Sequence, residues 1–415
     1  MSKTGAGPSV IAFAGHMLDA PGRLKPRFPA EAIPAVASAI ERYLDEAGAI
    51  AAVSSLASGA DILFAEAFCG RGLPLHVVLP IGVEEFVEES VEHEADVTRA
   101  DRTGAERTGA DRTGAKGSWV ERFHRVRDAA ASCQVYGGKY LQGTGTPFHM
   151  ATLLIDGWAR HFAAECKSEQ RSLAVWDGRP GDGFGGTASF VGHAVMQGRP
   201  TMCISPKDGS YFEPGVDAIR AAAKHSWARV DVGEQQMEHR LCAVLFADAK
   251  GFSLLTEPQV PVFISAVLGA VRRAVAKSGP PPRVLNTWGD GLFAVLDDLG
   301  QAARLGELLI EESAKLHCGE LGLTQSIVFR VGLHAGPCFT GLDPVTGRSN
   351  AYGADISLAA RIEPVTVPGK VYCSGSFVGL ALATSSANIV FNSLGKVPLA
   401  KGAGEIELWE LIKSG

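Results

Sequence analysis

The sequence predicts an α/β protein in two parts: a doubly wound parallel sheet, followed by a ferredoxin-like α+β unit. Three observations carry this expectation. Strand-like and helical stretches alternate from Ser9 to Ser205, which implies parallel crossovers. A polar stretch, Asp231–His239 (DVGEQQMEH), then breaks the texture. Beyond it the order becomes β-α-β-β-α-β, the split unit that closes into an antiparallel sheet.

In the first part, the apolar run Ser9–Gly15 (SVIAFAG) reads as a strand and Pro29–Ala47 as a helix. Strand Ala49–Ser54, helix Asp61–Gly70, strand Pro74–Pro80 (PLHVVLP) and an acidic helix from Val83 follow. Alternation resumes with helix Val120–Ala131, strand Cys133–Tyr136, helix Met150–Cys166, strand Ser172–Trp176, helix Thr187–Gln197 and strand Thr201–Ser205. Between them, at about 97–117, lies a five-residue repeat (DRTGA, ERTGA, DRTGA over Asp101–Ala115). It holds no apolar side chain larger than alanine, so it reads as a surface insertion outside any core. The boundaries follow as 8–232 and 233–415. The second part reads as strand Leu241–Phe246, helix Gln259–Lys277, strand Arg283–Thr287, a Gly-Asp-Gly turn, strand Leu292–Leu296, helix Gln301–Leu316 and strand Ile327–His334. A helix Asp355–Ile362, a short strand Lys370–Cys373 and a terminal β pair ending in Ile406–Leu411 close it.

Composition narrows the function. The 415 residues carry 39 Lys plus Arg against 45 Asp plus Glu, a formal charge of −6, with 46% hydrophobic residues. So mild an acidity argues against a nucleic-acid-binding face. No apolar run reaches the roughly 18 residues of a bilayer span, and no secretory leader is visible, so no membrane partner is expected. Eight cysteines without a CxxC pair read as reduced thiols, which fits a cytoplasmic location. Glycine is abundant, 49 residues, as in chains whose backbone turns tightly or approaches phosphates.

Two acids stand out. Asp248 sits at the exit of the first strand of the second part, in FADAKGF (Phe246–Phe252). Asp290 sits in the turn of NTWGDGLF (Asn286–Phe293). In a ferredoxin-like sheet the first and third strands are antiparallel neighbours, so these acids are expected at one rim. Two carboxylates there repel each other unless a cation intervenes. Mg²⁺ is the natural candidate, since it takes oxygen ligands and shares its shell with phosphates.

These two motifs resemble those of the class III nucleotidyl (adenylate/guanylate) cyclases. FRVGLHAGP (Phe329–Pro337), YGADISLAARIEP (Tyr352–Pro364) and LAKGAGEIELWEL (Leu399–Leu411) are similar to three further family motifs in the same order. The resemblance covers about residues 238–413. It implies two Mg²⁺ or Mn²⁺ ions per site, held by Asp248 and Asp290 with the carbonyl of Ala249. It implies phosphate contacts from Arg330 and Lys401, a transition-state role for Arg361 and a ribose contact at Ser357. It also implies a homodimer with sites shared between two chains. Base contacts fall on Asn286 and Asn350, where adenylyl cyclases typically have lysine and aspartate and guanylyl cyclases glutamate and a small polar residue. An asparagine amide donates and accepts, so the pair admits any base. Ser357 departs from the usual asparagine. The substrate expected is ATP, with a pyrimidine (CTP or UTP) cyclase of anti-phage signalling, or a degenerate dimerisation scaffold, as alternatives.

GHMLDAPG (Gly15–Gly22), SGADILFAEAF (Ser58–Phe68), HVVLP (His76–Pro80) and WDGRPGDGFGGTASFVGHA (Trp176–Ala194) resemble the Rossmann-like nucleotide-sensing SLOG families, related to LOG and DprA proteins. Independently of that, the glycine-rich loop Gly181–Thr187 leads from a strand into a helix, where free N–H groups favour an anion. A nucleotide-derived ligand is expected around Gly15, Gly59, Asp61, Asp177, Gly185, Gly186 and Thr187, with His16 nearby. The first part would then sense a ligand and regulate the second.

Overall fold

The computed structural model describes residues 7–412, except 21, 93–116, 139, 182–184, 216–226, 234, 386–387 and 403. Nearly all of the expected insertion at 97–117 lies outside the described residues. The chain divides into two compact units, 1–226 and 227–415, and contains two mixed α/β sheets.

In the first unit β1 (Ser9–Gly15), β2 (Ala49–Ser54), β3 (Leu75–Leu79), β4 (Ser132–Val135), β5 (Glu169–Val175), β6 (Thr201–Ile204) and β7 (Tyr211–Phe212) form one sheet. Its order is β4-β3-β2-β1-β5-β6-β7, parallel throughout except for β7. The helices between are α1 (Ile33–Ala47), α2 (Ala60–Cys69), α3 (Val83–Ser90), α4 (Trp119–Ala129), α5 (Thr146–Glu165) and α6 (Gly186–Met196). Strand order reverses between β1 and β5, the place where open α/β sheets bind ligands at the carboxyl ends of their strands. Burial supplies the cohesion: Ile11 and Phe13 of β1 pack with Val36 and Ile40 of α1 and Phe64 and Phe68 of α2 in one apolar cluster. Phe13 and Phe64 stack at 4.0 Å.

The second unit holds β8 (Trp227–Val232), β9 (Gln235–Lys250), β10 (Val284–Trp288), β11 (Gly291–Leu296), β12 (Val328–Leu342), β13 (Ser349–Tyr352), β14 (Val371–Ser374), β15 (Val390–Pro398) and β16 (Glu405–Ile412). The sheet runs β10-β11-β9-β12-β14-β16-β15, with β8 added to β9 and β13 to β12. The central order β10-β11-β9-β12 is the ferredoxin-like arrangement. Trp227–Val232, which sequence reasoning assigns to the first part, belongs here because it pairs with Gln235–Arg240.

Between β9 and β10 the helical run Glu257–Ser278 is long and apolar enough, by length and composition, to cross a membrane. The sequence reading expects no apolar run of that length; Arg272 and Arg273 interrupt this one. Phe263, Val267, Ala270, Val271 and Ala274 of this run are buried within the unit. A π turn at Phe263–Val267 precedes α7 (Leu268–Ser278), which packs on α8 (Leu299–Ala314).

α9 (Ala354–Ile362) lies on β12, and two glycines let it come that close. A Cβ at Gly332 would stand 2.6 Å from the backbone nitrogen of Glu363, and one at Gly336 would stand 2.4 Å from Cγ of Asp355. Gly332→Ala must therefore lift the end of α9 and is expected to cost about 1–3 kcal/mol in urea unfolding. An unchanged midpoint would show that the helix end yields freely. α10 (Gly375–Thr384) follows β14 directly.

Candidate active site

Pairing of β11 with β9 sets Asp248 opposite Gly291, and Asp290 is the residue before it. Gly289 and Asp290 form the two-residue turn of the β10–β11 hairpin. Gly289 has φ +63°, at the first loop position where such turns take glycine. The two carboxyl groups lie near enough for the charge of Asp248 to bear on Asp290. On the other side of β9, Arg330 of β12 is in register with Asp248, and its Nη2 donates to Asp248 Oδ2 at 2.9 Å. Its Nε forms an ion pair with Glu363, just beyond α9.

This rim carries excess negative charge. Burial, then the charge of Asp248, raises the Asp290 carboxyl above its ordinary range, against the pull of Arg330. Glu363 is raised too, by burial first, with Asp248 and Asp290 adding and Arg330 opposing. Three acids around one guanidinium is the condition a cation relieves. The rim borders a cleft of about 420 Å³ between Asp248–Ser253 and Pro364–Pro368. Among the described residues no set of three or more His, Cys, Asp or Glu side chains is gathered as a metal cage. Two acids and a backbone oxygen instead suit a hard cation that completes its shell with water and phosphate.

The remaining residues expected from sequence lie elsewhere in the unit. Ser357 and Arg361 are exposed on α9. Asn286 is half-buried on β10, and Asn350 lies on β13. Asn350 Nδ2 donates to Asp343 Oδ2 at 3.1 Å, and the same oxygen accepts from Tyr352 Oη at 2.6 Å. The Tyr352 hydrogen bond, with backbone donors from Thr346 and Val345, holds the Asp343 carboxyl well below the usual carboxylate range. Ala249 is buried at the end of β9. Lys401 falls in a 3-10 turn, Ala400–Gly402, but its side chain lies outside the described residues. Sequence reasoning quoted Glu363 within a motif without giving it a role, since only the fold shows its contact with Arg330.

In the first unit, several of the expected residues meet at the carboxyl ends of β1 and β5. Gly15 N donates to Asp61 Oδ1 at 2.8 Å, and Ala57 N to Asp61 Oδ2 at 3.2 Å. Gly59 caps α2 at φ +93°, where a Cβ would stand 2.6 Å from Leu18 N. His16 Nε2 lies 3.1 Å from Asp177 Oδ1, and Arg179 Nε donates to Asp177 Oδ2 at 2.6 Å. Burial would raise Asp177, but His16 and Arg179 hold it low. Gly185 caps α6, whose first residues are Gly186 and Thr187. The loop residues 182–184 are outside the described set.

Burial pushes the Asp61 carboxyl up to about 7, against its two backbone donors. A carboxyl raised in the folded state binds a proton that the unfolded chain has released, so stability is lost as pH rises from about 4 through 7. Melting of the whole chain should fall between pH 5 and pH 8 more steeply for wild type than for Asp61→Asn. Parallel curves would refute the assignment.

Residues 234–413 match the family model described as adenylate and guanylate cyclase catalytic domain. The chain is similar to the solved adenylyl cyclase CyaB from P. aeruginosa, at 17% identity and TM-score 0.37, over 44% of this chain and 98% of that one. It is similar to the guanylate cyclase domain of RhGC from Catenaria anguillulae in complex with GTP, at 17% identity and TM-score 0.36, over 42% and 97%. A third likeness is to an adenylate cyclase from Trypanosoma brucei in its monomeric state, at 18% identity and TM-score 0.35, over 41% and 89%. No curated protein matches the chain. The likeness to cyclase catalytic domains rests on the family match over residues 234–413 and not on these distant structures.

Proposed function

We propose that this chain converts a nucleoside triphosphate into its 3′,5′-cyclic nucleotide and pyrophosphate. The observation that supports this most is the meeting of Asp248 and Asp290 at one rim with Arg330 in register beside them. Asp248 and Asp290, with the carbonyl of Ala249, would hold two Mg²⁺ or Mn²⁺ ions. When bound, such ions acidify the ribose 3′-hydroxyl and neutralise the triphosphate.

The 3′-hydroxyl gives its proton to water and its oxygen bonds to the α-phosphorus as the bond from the α-phosphorus to the bridging oxygen breaks and pyrophosphate leaves. Arg330 exchanges its acidic partners for the outer phosphates, where Lys401 also binds. Arg361 meets the charge that builds on the α-phosphoryl oxygens, which favours the transition state over the ground state. Ser357 orients the ribose. Because Ser357 and Arg361 stand exposed on α9 while the acids line a separate rim, a twofold homodimer brings the two sets to one nucleotide.

Asn286 and Asn350 contact the base. Asn350 is held at both ends of its amide, Nδ2 donating to Asp343 Oδ2 and Oδ1 accepting from Ala351 N at 2.9 Å. An asparagine amide both donates and accepts, so the pair admits adenine, and ATP is the substrate we favour. The same pair admits a pyrimidine, so CTP or UTP is the second reading. The first unit binds a nucleotide-derived ligand at the carboxyl ends of β1 and β5 and regulates the cyclase. Its support is the reversal of strand order there and the polar groups that meet around it.

The test is incubation of the purified chain with ATP, GTP, CTP and UTP, each with Mg²⁺ or Mn²⁺, and identification of products by mass. A cyclic product from ATP is expected. No product from any of the four would leave a dimerisation scaffold as the better reading.

A further inference from the structure

Under α9 lies a buried polar chain that the proposed chemistry does not use. His334 of β12 is 3% exposed, and its Nε2 lies 2.9 Å from Asp355 Oδ1 in the first turn of α9. Its Nδ1 lies 2.8 Å from Ser374 Oγ, at the end of β14. Ser374 Oγ also accepts from Phe377 N at 3.2 Å, while Ser376 Oγ donates to the carbonyl of Ala335 at 2.7 Å.

These partners assign one tautomer. The carboxylate accepts, so Nε2 carries the hydrogen, and Nδ1 accepts from the Ser374 hydroxyl. The chain then runs Phe377 N–H to Ser374, Ser374 O–H to His334, and His334 N–H to Asp355, each group satisfied in turn. Asp355 has little freedom to move, because its carboxyl sits on Gly336, where a Cβ would reach within 2.4 Å. The far end of the helix rests on Gly332.

We propose that Asp355 and His334 are positioning residues that fix the rotation and height of α9 on the sheet, and so the placement of Ser357 and Arg361. The physical reason is economy of motion. α9 fully buries only Ala359 and Ile362, with Ile356 and Leu358 partly buried, so apolar packing holds its amino end less firmly than its carboxyl end. A buried hydrogen bond to a side chain, itself anchored on β14, supplies a directional constraint that packing lacks. A displacement of about 1 Å at a reacting centre can cost about a hundredfold in rate.

The inference rests on the cyclase reading for its catalytic consequence, and the experiment separates the two. In the full chain, Asp355→Ala should lower kcat about 10- to 100-fold with KM for the triphosphate within about threefold. Asp355→Asn, which still accepts from His334 through its amide oxygen, should recover most of that loss. Asp355→Ala should regain activity when mixed with Asp248→Ala chains, but not with Arg361→Ala chains, because its defect lies on the helix side of the shared site. Amide exchange needs no turnover: Asp355→Ala should speed exchange over 354–362 about tenfold or more while leaving β9 and β11 protected. Unchanged exchange in α9, or rescue by Arg361→Ala chains, would overturn the inference. A wild-type chain that forms no cyclic product would sink the cyclase reading instead, and the exchange result would still decide the role of the pair.

Discussion

Asp290→Ala is expected to reduce formation of the cyclic nucleotide to about one thousandth of wild type or less, since in the proposed reaction it removes one of the two acids that would hold the ions. The loss should come without a loss of fold. Burial and the neighbouring charge of Asp248 raise the Asp290 carboxyl, so its ionisation works against the folded state at neutral pH. Taking that charge away should hold or raise the melting temperature while activity disappears. Asp248→Ala differs in one respect: it strips Arg330 of its 2.9 Å partner and leaves Glu363 to bind the guanidinium alone. Its activity should fall as far, with little stability gained. Cyclic product surviving either change at more than about a tenth of wild type would rule out a reaction that needs both acids.

Arg361→Ala should cost about 10²- to 10³-fold in kcat, with a smaller effect on KM, if its guanidinium acts mainly on transition-state charge. Its exposed position on α9 makes a sharper experiment available. Arg361→Ala and Asp290→Ala chains, each nearly inactive alone, should regain activity on mixing. In an even random mixture half the dimers are mixed and each holds one complete site, so about a quarter of the wild-type rate is expected. Verified mixed dimers without activity would mean that each site is built within a single chain.

The sequence was most informative where chemistry and topology reinforce each other. Asp248 and Asp290 lie far apart in the chain, yet the β-α-β-β-α-β order alone predicts that they meet, and the β9–β11 register brings them together. The strands of the first unit were legible because runs such as SVIAFAG and LHVVL are largely buried and largely apolar. Elements that break those patterns were missed. β8 and the first residues of β9 read as a polar seam, since Arg229, Asp231, Val232, Gln235 and Gln236 are exposed and no apolar run marks the strands. α10, Gly375–Thr384, is apolar nearly all round, so it lacks the helical periodicity that would have marked it. β13 contributes only four residues to the edge of the sheet.

Other parts of the site depend on contacts that no spacing encodes. Glu363 reaches Arg330 because Gly332 lets the chain pass close over β12. Asp343 stands seven residues before Asn350 and reaches it through the turn that β12 and β13 share. His334 and Asp355 were both inside quoted motifs, but their 2.9 Å contact follows from the docking of α9.

The ladder between β9 and β12 runs without interruption from Lys250–Val328 to Glu238–Thr340. That continuity leaves no tolerance for changes in length. Removing one residue between Glu238 and Ala247 would turn every following side chain to the opposite face of the sheet, Asp248 among them. Removing two would restore the faces but draw Asp248 about 7 Å away from Arg330. Insertions and deletions compatible with catalysis are therefore confined to the turns, and a library of single-residue deletions across this strand should contain no active member.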